Sequence, residues 1–232
     1  SIDATVARKA KLLFINYPGN PTGAVAEKKD LAEAVAFAKE YDLLLCSDLA
    51  YSEVAFDGFK PPSVLEISGA KERTIEFHSL SKTYNITGFR IGMAVGAAEA
   101  IKALRIIKTN IDSGAFMAIQ EAGAAALLGS QAHLPKLNAM YAKRRNILVD
   151  GLNSLGWNIE RPKATFYVWA PTPHGMDAAD FTNLLLDKCG VLVVPGAGYG
   201  NEGKKYFRAA ITTDAKRIAE AVSRLKKAGI KY

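Results

Sequence analysis

The most constraining feature of this chain is an alternation. Short, nearly unbroken apolar runs are separated by amphipathic stretches of helical period. "KLLFINYP" reads as a strand, "EKKDLAEAVAFAKEYD" as a helix with one apolar face, and "LLLCSD" and "RTIEFHSL" as further strands. "RIGMAVG" is another strand, followed by helical "AAEAIKALRIIKTN". Runs without a polar alternation belong to strands buried on both faces, and the intervening helices supply the crossovers that parallel strands require. The expected class is therefore α/β, with a mostly parallel sheet.

The texture changes along the chain. From Phe116 to Leu155 the pattern is almost wholly helical, with "QAHLPKLNAMYAKRRNILVDGLNSLG" as one long amphipathic stretch. Beyond Gly156, short strands ("WNIE", "TFYVWA", "VLVV", "YFRAAIT") alternate with two helices, "DAADFTNLLLDKCG" and "DAKRIAEAVSRLKKAG". This suggests a second, smaller α/β unit. The expected division is 1–145 for the larger portion and 146–232 for the smaller.

Composition narrows the class. The 232 residues are 49% hydrophobic, enough for a sizeable core. Cys46 and Cys189 lie in apolar runs and read as buried, reduced thiols of an intracellular, cytoplasmic protein, not a disulfide framework. No uncharged apolar run reaches the roughly 18 residues of a membrane helix, and "SIDATVARKAK" lacks an apolar signal core. The net charge of +7 is spread through "KERT", "AKRRN", "EGKK" and "SRLKK". That reads as a solvated basic surface, since a nucleic-acid face would cluster its charge and interleave aromatics.

Three polar clusters each follow a strand: "PGNPTG" after "LLFINY", "SDLAYSE" after "LLLC", and "SLSKTYN" after "TIEFH". In open parallel sheets ligands bind outside the carboxyl ends of strands. Asn20, Asp48, Tyr51, Ser79, Ser81 and Lys82 are thus expected to converge. Each has a bland alternative as a turn residue, a helix cap or a loop hydroxyl. Their coincidence on three strand ends favours a site. A partly desolvated lysine forms Schiff bases, a buried carboxylate suits a pyridinium nitrogen, and hydroxyls with an arginine suit a phosphate. Together these describe a pyridoxal phosphate site.

"NPTG", "SDLAYSEV" and "SLSKTYNITGFRIG", in this order, resemble the signature blocks of the class I/II aminotransferases, enzymes of the fold type I (aspartate aminotransferase-like) pyridoxal phosphate-dependent transferase fold. The similarity continues through "VPGAGYG" and "YFRAAIT". The resemblance implies that Lys82 attaches the cofactor as a Schiff base and moves the substrate proton, and that Asp48 pairs with the pyridine nitrogen. It implies that Asn20 and Tyr51 hydrogen-bond the phenolic oxygen, and that Ser79, Ser81 and Arg90 hold the phosphate. Arg208 matches the arginine that grips the substrate carboxylate. Gly88 and Gly92 are expected to let the backbone turn and return tightly.

"GYGNEG" also fits a dinucleotide or P-loop pattern, but a strand follows it and Lys205 stands where a P-loop needs Ser or Thr. His78, His133 and His174 have no ligand spacing, so no metal is expected. By resemblance the substrates are an amino acid and a 2-oxo acid, and the assembly a homodimer. "HSLSKTYNITGFRIGMAVG" is most like the LL-diaminopimelate aminotransferase branch. Aspartate, alanine or aromatic aminotransferases, a carbon–sulfur lyase on the same fold, and a non-catalytic fragment or regulator domain are the alternatives. Family members carry a substantial segment ahead of the "NPTG" strand, so the chain is expected to be a fragment with its sheet edges unpaired.

Overall fold

A computed structural model describes residues 2–232. They form two compact units: residues up to Pro18, Val25–Ala55 and Phe59–Leu134 in the first, and Gly19–Ala24, Phe56–Gly58 and Pro135–Tyr232 in the second.

The first unit opens with α1 (Ala4–Lys9), a short helix capped by the Asp3 carboxylate, which accepts from Thr5 N at 2.7 Å. Then follow β1 (Leu12–Asn16), α2 (Lys28–Glu40), β2 (Leu44–Asp48), β3 (Thr74–Ser79), the single turn α3 (Leu80–Thr83), β4 (Gly92–Gly96), α4 (Ala98–Ile111) and α5 (Met117–Leu128). The four strands lie in the order β1-β2-β3-β4. The first three are parallel, in a register that aligns Asn16 with Asp48 and Asp48 with Phe77. β4 runs antiparallel to β3. Between β3 and β4 the chain forms only the short turns Leu80–Thr83 and Thr87–Phe89, with no covering helix, and it reverses. That reversal needs close approach: a Cβ on Gly92 would lie 2.6 Å from His78 O, whereas Gly88 has open space around it.

α2 follows its predicted span, with Glu27 and Asp30 forming a reciprocal capping box. Its buried stripe, Leu31, Val35 and Ala38, packs with Leu43, Leu45, Val64 and Ala70. Elsewhere in this unit apolar surface is open. Phe14 is 68% and Ile111 72% exposed, and no residue of α4 is fully buried.

The second unit contains α6 (Leu134–Asn153, entering at its second residue), β5 (Tyr167–Pro171), α7 (Ala178–Cys189), β6 (Val194–Pro195), β7 (Tyr206–Ala210) and α8 (Ala215–Lys227). Its antiparallel sheet has the order β5-β7-β6. One face, Ala170, Phe207 and Ala209, meets Phe181 and Leu185 of α7, Leu225 of α8 and Trp157. The expected strand at "WNIE" does not form. Ile159 instead exchanges its N–H and C=O with the Asn153 side-chain amide at 2.9 and 3.0 Å, and Trp157 Nε1 donates to Pro171 O. These local bonds satisfy backbone that would otherwise seek a ladder. "VLVV" contributes only Val194 to β6, because Val191 N donates to Leu185 O in the C-terminal cap of α7.

Both cysteines are free and buried, and burial pushes both thiols up. Among the described residues no helix is long and apolar enough to cross a membrane.

The basic run "AKRRN" departs most from the solvated-surface reading. Arg145 is 1% exposed. Its guanidinium donates to Asp57 (2.7 and 3.2 Å), Pro162 O (2.9 Å) and Asn146 Oδ1 (3.0 and 2.9 Å), and lies 4.9 Å from the Phe56 ring centroid. It ties Phe56–Gly58 to α6 and to the loop before β5. Arg145→Ala should destabilise the second unit by about 3 kcal/mol, since it unpairs several acceptors and leaves a cavity. The hydrogen bond from Arg145 is the largest influence holding the Asp57 carboxyl below its ordinary value, with the Arg145 and Arg161 charges adding to it. A carboxyl depressed on folding contributes stability that is complete above the unfolded value near 4 and is lost as pH falls through the folded one. Urea midpoints measured across the acid range should therefore fall less steeply for Asp57→Asn than for the wild type.

Candidate functional site

In the first unit the polar residues gather where β2 and β3 end. Asp48 is the last residue of β2, and Leu49 N donates to Phe77 O just beyond the ladder. Asn16, at the end of β1, donates from Nδ2 to Asp48 O at 3.1 Å. The Asp48 carboxylate accepts from Ala50 N at 3.2 Å, which starts the turn that carries Tyr51. The chemistry read from sequence asks for a buried carboxylate, but Asp48 is exposed in this structure. Standing at the strand terminus, it projects past the ladder.

β3 delivers the second cluster. It passes directly into α3, so that Ser79 immediately precedes the turn, Ser81 is buried at 4% exposure and Lys82 emerges half-buried. Lys82 Nζ lies 6.0 Å from the ring centroid of Tyr51, itself only 5% exposed. The amine and the phenol, thirty-one positions apart, are thus brought together by parallel pairing of β2 with β3. Arg90 is exposed, in left-handed backbone (φ 50°) at the end of the turn before β4, and its Nη1 donates to Thr87 O at 2.9 Å.

Asn20 and Arg208 lie in the second unit. Asn20 sits in a tight turn closed by Gly19 N to Ala24 O (2.8 Å) and Gly23 N to Gly19 O (2.9 Å). Gly23, at φ +70°, permits that turn, with its would-be Cβ 3.2 Å from Pro162 Cβ. Asn20 Oδ1 accepts from Arg208 Nη1 at 2.7 Å. Arg208 stands on β7, the central strand, between Trp169 and Val194 in register. Its Nε is buried and has no acceptor. A buried donor of this kind is costly unless a ligand accepts from it.

Sequence reading overlooked the buried Glu76. It is 1% exposed, and its carboxylate meets Ser63 Oγ at 2.8 Å, Val64 N at 3.0 Å and His78 Nε2 at 3.0 Å. The signal was present: Glu76 and His78 are two apart and so share one face of the strand. The cluster anchors the turn at Val64–Glu66 beneath the strand that carries Ser79. A cavity of about 430 Å³ is bordered by Ser63, His78, Ser79, Tyr84 and Met93, but not by Asp48, Tyr51 or Lys82. Among the described residues no group of three or more His, Cys, Asp or Glu could hold a metal.

Comparison with known proteins gives the family. The profile of "Aminotransferase class I and II" matches residues 1–225, and the chain belongs to that family. It is 57% identical over 231 residues to LL-diaminopimelate aminotransferase 2 of Nostoc sp., covering 100% of this chain and 59% of that protein. It is 56% identical to LL-diaminopimelate aminotransferase of Moorella thermoacetica, covering 98% and 58% respectively. The chain therefore spans a little under three fifths of the length of these curated relatives.

Among solved structures, substrate-bound BacF from Bacillus subtilis superposes with a TM-score of 0.93 at 40% identity, over 97% of this chain and 58% of that one. A Thermus thermophilus aspartate aminotransferase variant gives 0.89 at 31% identity, over 95% and 57%. The fold is that of the aspartate aminotransferase-like enzymes, a class that uses pyridoxal 5′-phosphate. The residues present fit such a group chemically. A primary amine stands over a buried phenol, a carboxylate lies at the end of the adjacent strand, and hydroxyls and an arginine follow on the same segment.

The Glu76 cluster yields a test. Glu76→Leu leaves the Ser63 hydroxyl, Val64 N–H and His78 without their buried acceptor. The loss should be about 3 kcal/mol in chemical denaturation, with the wild-type denaturant slope retained.

Proposed function

We propose that the protein carrying this chain transfers an amino group between LL-diaminopimelate and a 2-oxo acid, with 2-oxoglutarate and glutamate as the second pair. The observation that carries this reading is the 57% identity, spread over the whole chain, with relatives named for that activity. On the family pattern the working form is a cytoplasmic homodimer. Residues 1–145 would belong to the larger, cofactor-binding domain and 146–232 to the smaller.

Bound pyridoxal phosphate supplies an electron sink for the bonds at the amino acid Cα. The chain's residues have separate tasks. Lys82 provides the amine that attaches the cofactor and then carries the proton at Cα. Asp48 holds a proton on the pyridine nitrogen by opposing its charge. Tyr51 and Asn20 donate to the phenolic oxygen. Ser79, Ser81 and Arg90 bind the phosphate, the arginine through paired charge-assisted bonds. Arg208, backed by Asn20, grips the substrate carboxylate, which would satisfy its unpaired Nε.

The decisive experiment is a half-reaction screen of the intact protein, following cofactor absorbance as each amino acid is added. LL-diaminopimelate should convert the cofactor fastest, and turnover should require a 2-oxo acid acceptor. Faster conversion with aspartate, alanine or an aromatic amino acid would reassign the substrate. Product release without an acceptor would indicate a carbon–sulfur lyase. Lys82→Ala should lower turnover by about 10² to 10⁴-fold, the usual contribution of a positioned proton carrier, and abolish borohydride trapping of the cofactor. Asp48→Asn should retain cofactor yet slow the half-reaction by about 10² to 10³-fold. Wild-type rates in either variant would remove that residue from the mechanism.

A further inference from the structure

The unpaired Nε of Arg208 is only part of its setting. The guanidinium lies over two aromatic rings, with Cζ 4.1 Å from the ring centroid of Tyr167 and 5.1 Å from that of Tyr199. Asn20 Oδ1 holds Nη1 at 2.7 Å. The rings are themselves braced. Phe166 meets Tyr167 edge-on at 5.0 Å, and Trp169 meets Tyr199 edge-on at 6.0 Å and 78°. Trp169 in turn stacks on Tyr206 at 5.4 Å and 7°. The alternation of β5 places Tyr167 and Trp169 on the face opposite Val168 and Ala170, both of which are buried.

We propose that Tyr167 and Tyr199 are positioning residues that fix the Arg208 guanidinium as a flat, pre-oriented fork for the substrate carboxylate. The inference rests on the reading of Arg208 as the carboxylate-binding residue. An arginine carries a long stem with several rotatable bonds, and binding a ligand through it normally freezes those bonds at a cost to affinity. Here the freezing is done in advance. Two ring faces attract the cation and restrict tilting of its plane, and one amide oxygen sets its rotation within that plane. Arg145 offers a contrast. It also lies over a ring, but all three of its guanidinium nitrogens donate to protein acceptors, so it has a structural task. Arg208 is held by one hydrogen bond and two rings and keeps a buried donor unused. Planarity matters because a carboxylate accepts two parallel N–H bonds only from a fork lying in its own plane.

The test uses the intact, cofactor-loaded protein and two readouts. One is KM against kcat for the amino donor. The other is the dissociation constant of succinate, a non-reacting carboxylate, by calorimetry. Tyr167→Leu and Tyr199→Leu should each raise KM and the succinate dissociation constant by about 3- to 30-fold, the range of a partly desolvated cation–ring contact, with a smaller effect on kcat. Tyr167→Phe and Tyr199→Phe keep the ring and should recover most of the lost affinity. In an Arg208→Gln background the two leucine substitutions should have little further effect, as a shared pathway requires. If the leucine variants match wild type in both readouts while Arg208→Gln weakens them, the clamp is wrong and the role of Arg208 stands. The clamp also fails if leucine weakens binding as much in the Arg208→Gln background as alone, or if phenylalanine is no better than leucine. If Arg208→Gln leaves both readouts unchanged, the carboxylate reading itself fails.

Discussion

Everything in the first unit's site depends on the register of three parallel strands. β1, β2 and β3 pair so that Asn16, Asp48 and Phe77 stand level, and the chain then leaves the sheet in the same direction from each strand. Parallel pairing has this consequence generally: successive carboxyl ends open on one edge, and the helical crossovers remove the intervening chain from it. A shift of β3 by one residue would turn Ser79 to the other face and move Lys82 away from Tyr51. The buried Glu76 opposes such a shift. Its three partners come from the turn at Ser63 and Val64 and from His78, so a slipped strand would bury an uncompensated carboxylate.

The second unit uses antiparallel pairing to a different end. One face of β5 and β7 closes a core with α7 and α8, and the other is left to Tyr167, Trp169, Tyr206 and Arg208. Arg145 is buried and Arg208 half-buried, and their hydrogen bonds set them further apart. Arg145 has acceptors for each guanidinium nitrogen and lies at a junction of three segments. Arg208 has Asn20, two rings and a donor in reserve. A saturated buried cation is a strut, whereas the unsatisfied donor of Arg208 is what supports the carboxylate-binding role proposed for it.

Much of this was legible along the chain because it is local. The period of "EKKDLAEAVAFAKEYD" gives α2, and the run "RTIEFHSL" gives β3. The polar segments after "LLLC" and "TIEFH" carry Asp48, Tyr51, Ser79, Ser81 and Lys82 in residue order. The two expected strands that fail share one cause. "WNIE" and "VLVV" have strand composition, but Asn153 and the end of α7 capture their backbone groups first. α1 is short and rests on one Asp3 cap, too weak a signal to stand out in sequence.

By itself, then, the sequence determined the α/β class, most of the helices and strands, and which residue types stand at the strand ends, since these follow from periodicity and from neighbours a few positions away. Only the tertiary structure decided which residues meet. Arg145, in a basic run that reads as surface, is buried because acceptors from Asp57 and Pro162 converge on it from distant segments. Asp48 is exposed because the strand ends there. Asn20 and Arg208, separated by 188 positions, are hydrogen-bonded because a tight turn and the central strand of a small sheet bring them within 2.7 Å. Charge and hydropathy assign a residue a preference for water or for the core, but a buried cation is stabilised by specific partners, and only the folded backbone supplies them.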